Sequence, residues 1–329
     1  MKCLEKYYII GAKQKNQILK DWEQYQNGLI IKVSPENKTA VKCVEYTSPP
    51  EVCPKENPSI SFTAGTMYNN HLYVGTQTEV LIYSLPQFKI VNSLSIPSFN
   101  DIHHVRPTEE GNLMIVNTGL DMVIELSPNG KILKEWDVLG GDPWTIFSRT
   151  KDYRKVPTTK PHQSHPNYVF KIGGDIWATR CLQKDAVCLT KLNKTINIGH
   201  QLIHDGVVFG NSIYFTQVDG HVVVVDIHSL QVKYQYNLNN MNDSKIPLGW
   251  CRGIKIINQD QVIVGFTRIR PVKKTEADGT ISWEGEYGVL PTRIACFDLK
   301  KGKQLWEQQV EEYGMNAIYS IHSENESDI

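Results

Sequence analysis

Three segments of this 329-residue chain place histidine just ahead of an apolar run: FNDIHHV, HQSHPNYVF and HQLIHDGVVF. If each run opens a strand of one repeated unit, His103 or His104, His165 and His204 converge on a common rim. Neutral imidazoles gathered in that way hold Zn, Fe, Mn or Cu through three protein ligands and leave a position open for water or substrate. The expected metal ligands are His104, His165 and His204, with His104 and His204 also placed for proton transfer. The H-x-x-x-H at His200 and His204 is not the zinc-protease motif, because it lacks the Glu after the first His and sits between strands. An oxygen-ligand alternative is Asn167, Asp205 and Asn316, with Asp101 nearby, a set suited to Ca.

Arginines make the second constellation. Arg180 ends WATR, Arg268 and Arg270 follow in GFTRIR, Arg252 lies in GWCRGI, and Arg106 follows the paired histidines. Guanidinium groups grip carboxylate, phosphate or sulfate bidentately, so a small anionic molecule is the expected ligand. Arg180, Arg268 and Arg270 are expected to bind it and Arg252 to assist catalysis. Trp250 and Tyr168 are expected beside the ligand; Trp144, Phe147, Tyr153, Trp283 and Tyr287 are further candidates to wall the pocket. Cys251, next to Arg252, is a possible nucleophile, since a cation favours thiolate.

The elements that must position these residues come from a repeat. Six copies of an apolar run, a turn and a second apolar run recur, as in HLYVGTQTEVLIYSL (71–85), LMIVNTGLDMVIELS (113–127), IWATRCLQKDAVCLTK (176–191) and IYFTQVDGHVVVVDI (213–227). Two copies, 262–299 and 7–34, have longer middles. Each is preceded by one short apolar run and followed by another, which makes four strands per unit. The expectation is an all-β, six-bladed propeller of four-stranded antiparallel blades, one domain over 1–329. The N-terminal unit lacks a first strand and NAIYSI (316–321) is a first strand without successors, so their pairing closes the ring. DWEQYQN (21–27) is the one segment read as a short helix. The long connections, 11–27, 47–61, 140–164 and 270–290, all fall on the face where innermost strands begin, which makes that mouth of the channel the expected site.

Composition narrows the function classes. Lys+Arg and Asp+Glu are equal at 35 each, and no basic run replaces the missing net charge, so nucleic acid is not an expected partner. No apolar stretch is long enough to span a membrane, charges interrupt the N-terminal apolar residues, and seven Cys without C-x-x-C spacing argue against a disulfide framework. These features read as a cytoplasmic protein without membrane contact or a nucleotide cofactor.

Segments such as VNTGLDMVIELSPNGKILKEW resemble the broad six-bladed propeller group of NHL-repeat proteins, gluconolactonase-like and paraoxonase-like hydrolases, peptidylglycine amidating lyase and arylsulfotransferase-like propellers. At blade level the resemblance covers nearly the whole chain. CRGI…VIVGFTRIRP is also similar to a stretch in uncharacterised bacterial propellers. The resemblance to the amidating lyase implies a channel zinc held by His from several blades, with Tyr and Arg nearby; His104, His165, His204 and Arg252 form a similar set. The gluconolactonase-like group implies Ca held by Glu, Asn and Asp, and no Glu stands at an innermost strand start here. The expected function is a metal-assisted lyase or hydrolase acting on a small anionic or polar substrate. A noncatalytic propeller that binds a protein or metabolite is the alternative.

Overall fold

The structure, a computed structural model, describes residues 5–16, 23–191, 193–199, 201–242, 246–275 and 281–325. His200 and the side chain of Trp283 fall outside what it describes. Six four-stranded antiparallel sheets form the blades of a propeller. Blades 1 to 5 occupy 66–94, 102–137, 166–197, 207–237 and 250–309, each running in chain order from the innermost strand A to the outermost strand D. Blade 6 is composite: Ala317–Ser323 supplies its strand A, and Tyr7–Gln14, Tyr25–Ser34 and Thr39–Tyr46 supply B, C and D. The chain ends thus close the ring as the orphan strands require, with Tyr7 opposite Ser323 and Ala12 opposite Ala317.

The residue pattern explains the layering. Middle strands such as Leu113–Asn117 are buried on both faces, because each blade packs against two neighbours, and they are accordingly near-continuous apolar runs. Outer strands such as Lys89–Leu94 face solvent. The core is therefore a set of layers between blades rather than one central mass. Blades 4 and 5 meet through Val222, Val224, Phe266 and Phe297, and blades 3 and 4 through Trp177, Phe170, Phe215 and Val223.

Two details depart from expectation. Tyr25–Asn27 begin a strand instead of ending a helix, because Tyr25 pairs with Gln14 as blade 6 requires. The long B-to-C connection of blade 5 carries its own hairpin, Val272–Thr275 with Ile281–Glu284. Among the described residues no helix is long and apolar enough to cross a membrane.

A third feature prepares the site. Strand A is irregular near its start in four blades. The register slips between Ile102 and His104, between Pro166 and Val169, between Arg252 and Ile254, and opposite Ile10 and Gly11, where Tyr319 is passed over. Such bulges re-aim side chains that regular alternation would send elsewhere.

Candidate active site

The mouth where the innermost strands begin holds a cavity of about 120 Å³, lined by Asp101, His103, His165, Arg252, Arg270 and Tyr319. Its cover comes from the connections ahead of strand A of blades 1 and 3: Pro54 and Ser59 from one, Val156, Pro157, Thr158 and Lys160 from the other. The second connection is pinned, not loose. Tyr153 is buried and its amide donates to Pro97 O at 2.7 Å, while the Asn100 amide donates to Tyr153 O and Val156 O at 2.9 and 2.8 Å. Trp144, Phe147 and Tyr153 pack onto the core between blades 1 and 2 and do not line this cavity.

His165 is held by its backbone. It has φ of +58°, a left-handed conformation unusual for a residue with a Cβ, and the Asp121 carboxylate accepts the amides of Gln163, Ser164 and His165 at 2.6, 3.1 and 2.7 Å. Amides converging on one carboxylate make a charge-assisted cradle. Asp121→Ala is expected to release it. Each charge-assisted bond contributes ~1.5–3 kcal/mol, so exchange protection at these three amides should fall by about 100-fold or more. Hydrogen exchange that leaves them as protected as before would refute the assignment.

Hydrogen bonds assign a tautomer to each imidazole. His103 Nδ1 lies 2.9 Å from Asp101 O and therefore carries the proton, leaving the Nε2 lone pair free. His204 Nδ1 lies 3.2 Å from Asp205 Oδ1, and its Nε2 is buried without a partner. Thr159 donates to Gly119 O and receives from His162 Nε2 at 3.2 Å, so His162 Nδ1 accepts the Nδ1 proton of His165 across 2.7 Å. His165 likewise keeps its Nε2 lone pair. Three imidazoles therefore have Nδ1–H tied back and Nε2 unprotonated, the arrangement in which an outer partner orients a metal-ligating histidine. The ring centroid of His103 is 4.9 Å from that of His165 and 6.2 Å from that of His204. Two imidazoles on one ion at metal–nitrogen distances near 2.1 Å place their centroids roughly 5 Å apart, a spacing that His103 and His165 match and that His103 and His204 exceed. Asp101, His162 and His165 form a tighter group, with ligand atoms all within 4.8 Å of one another.

Electrostatics keep these rings neutral. Burial pushes His103 down to about 4, against the opposing pull of Asp101, with His204 and Arg252 adding to the fall. Burial likewise lowers His162, His165 and His204; the cations around His165 lower it further, while Asp205 opposes the shift at His204. Burial alone would raise the Asp101 carboxyl, but His103, Lys160, His162 and Arg252 outweigh it and hold it below the usual carboxylate range.

Arg252 completes the set. Its Nε is buried without a partner, and among the described residues its guanidinium has no ion pair or hydrogen bond; the group lies over the rings of Trp250 and Tyr319 at 5.7 and 5.4 Å. Arg270 donates to Tyr25 OH at 3.1 Å and stacks on Trp250. Trp250 is thus a platform beneath two guanidinium groups.

Several expected site residues lie elsewhere. His104 is fully buried, accepts Val169 N–H at Nδ1 and donates from Nε2 to Thr66 Oγ1, so it has no nitrogen left for a metal or proton transfer. The bulge after Ile102 turns His103 to the mouth in its place. Tyr168 stacks on His104 at 3.7 Å and, with Arg106, lines the opposite end of the channel. Arg180 is clamped by Asp185 and Val138 O, and Arg268 by Glu311 and Gly288 O, so neither lines the cavity. Cys251 is fully buried and desolvation pushes its thiol far up, which removes it as a nucleophile. Two of the expected oxygen ligands are spent on the scaffold: Asp205 accepts Thr216 Oγ1 and Gly253 N, and Asn316 Oδ1 accepts Gln14 N. Asn167 donates its amide to Ile203 O, and its Oδ1 is buried without a partner.

Fold and site together define a six-bladed β-propeller with a histidine-rich channel mouth. Neither a family model nor a curated protein matches the chain. Among solved structures it is similar to a protein of unknown function from Bacteroides caccae, with 11% identity over 96% of this chain and 98% of that one and a TM-score of 0.61. It is also similar to a chain of the nidogen/laminin complex, with 9% identity over 96% of this chain and 97% of that one and a TM-score of 0.55. At such identities the likeness is one of fold.

Proposed function

We propose that the protein is a metal-dependent lyase or hydrolase that acts on a small anionic substrate at the channel mouth. His103, His165 and His204 would hold a divalent transition metal through Nε2, which requires His204 to draw closer to the other two rings. A bound ion would supply Lewis-acid polarisation of a substrate oxygen. Arg252, with Arg270 beside it, binds the anionic group; Asp101 is a carboxylate placed to take a proton, and Asp205 and His162 orient the rings that they touch. The carrying observation is that three neutral imidazoles have unprotonated Nε2 atoms, and that two of them line one cavity with a guanidinium that has no ion pair or hydrogen bond among the described residues.

Metal analysis of purified protein tests this reading. About one equivalent of Zn, Mn, Fe or Cu is expected, falling below a tenth in the His165→Ala/His204→Ala double variant with an unchanged circular dichroism spectrum. His162→Ala should keep the site but weaken it roughly 10- to 100-fold, the usual effect of an outer-shell loss. Wild-type protein that folds and binds none of these ions would favour the alternative of a noncatalytic binding propeller.

A further inference from the structure

The opposite end of the channel holds a larger cavity, about 520 Å³, within the range of small-molecule sites. Its walls mix polar and apolar surface, the apolar part coming from Val207, Val208, Phe209, Ile257 and the ring of Tyr168, none of them fully buried. Arg106 stands among them. It is half-buried, and among the described residues its guanidinium has neither an ion pair nor a hydrogen bond. Lys255 and His322 also line the cavity, and among the described residues Glu5 is the one acidic residue there. The cavity therefore sets the Arg106 guanidinium beside apolar surface, and it is larger than the histidine-lined mouth.

We propose that this lower cavity is a second ligand site, for a monocarboxylate with an extended apolar body. The carboxylate would pair with Arg106 in the bidentate geometry that guanidinium favours, and the apolar part would lie along Val207, Val208, Phe209 and Ile257. Tyr168, stacked on His104, forms part of the wall. The site does not depend on the metal-dependent reading of the other mouth.

Isothermal titration with decanoate tests the proposal. Decanoate should bind at one site per chain and decanol at least ten-fold more weakly. Arg106→Gln should lower decanoate affinity ten-fold or more, Arg106→Lys less, and His165→Ala should leave it unchanged. Absence of saturable decanoate binding would overturn the proposal, as would equal affinity for decanol or an effect confined to His165→Ala. If Arg106→Gln does not fold, the decanoate and decanol comparison on the unmodified protein decides.

Discussion

Replacing Gly11 with alanine is expected to destabilise the protein by about 3 kcal/mol or more, at or beyond the upper end of ordinary overpacking costs. Gly11 lies in the strand that receives the C-terminal strand, opposite Ile318. A Cβ there would sit 1.8 Å from Ala317 O and 2.8 Å from Met315 Sδ. The nearer atom is backbone, so no rotamer change relieves the clash; Ala317 must withdraw, which opens the seam joining the two ends of the chain. Urea unfolding provides the measure, with Gly174→Ala as control, since a Cβ at that position meets nothing within 4 Å. A midpoint for Gly11→Ala equal to that of the control would show that the seam does not hold the ring together.

His104→Gln is expected to cost ~2–4 kcal/mol at pH 8, through lost stacking on Tyr168 and a weakened pair of buried hydrogen bonds. The deficit should shrink in acid. Burial, followed by the charges of Arg106, His322 and His204, holds His104 well below its unfolded value near 6.5. Between the two values the unfolded chain binds a proton that the folded chain does not, so stability is full above about pH 7 and falls as the pH drops through 6.5. Each such histidine contributes a slope of up to about 1.4 kcal/mol per pH unit. His103, His162, His165 and His204 are shifted the same way, so the chelator-treated protein should lose stability steeply between pH 6.5 and 5. The variant should lose it less steeply by about one proton. Parallel curves for the two proteins would show that His104 titrates normally.

The repeat made the architecture legible, because strand-turn-strand runs and two complementary orphan pieces leave little choice of topology. His165 and His204 were legible as well, since each precedes an apolar strand at the same point of its blade. The choice between His103 and His104 was not, because alternation predicts facing only while register holds, and the bulge between Ile102 and His104 resets it. Arg180 carried a readable signal that was missed: Asp185 lies across the same turn, directly opposite in the hairpin. The partner of Arg268 is Glu311, 43 residues away, and no local pattern reveals such a pairing. Tyr168 and Arg106 show the same limit, since position near a strand start does not say which end of the channel a side chain serves.

The composite sixth sheet has a consequence for how the protein comes into being. A nascent polypeptide elongated only as far as Val310 already carries five finished sheets and every imidazole of the site, but not Tyr319, over whose ring the Arg252 guanidinium rests. The pocket wall is thus completed by a segment translated after those five sheets, and ligand capture in the form described here must wait until synthesis has passed Tyr319.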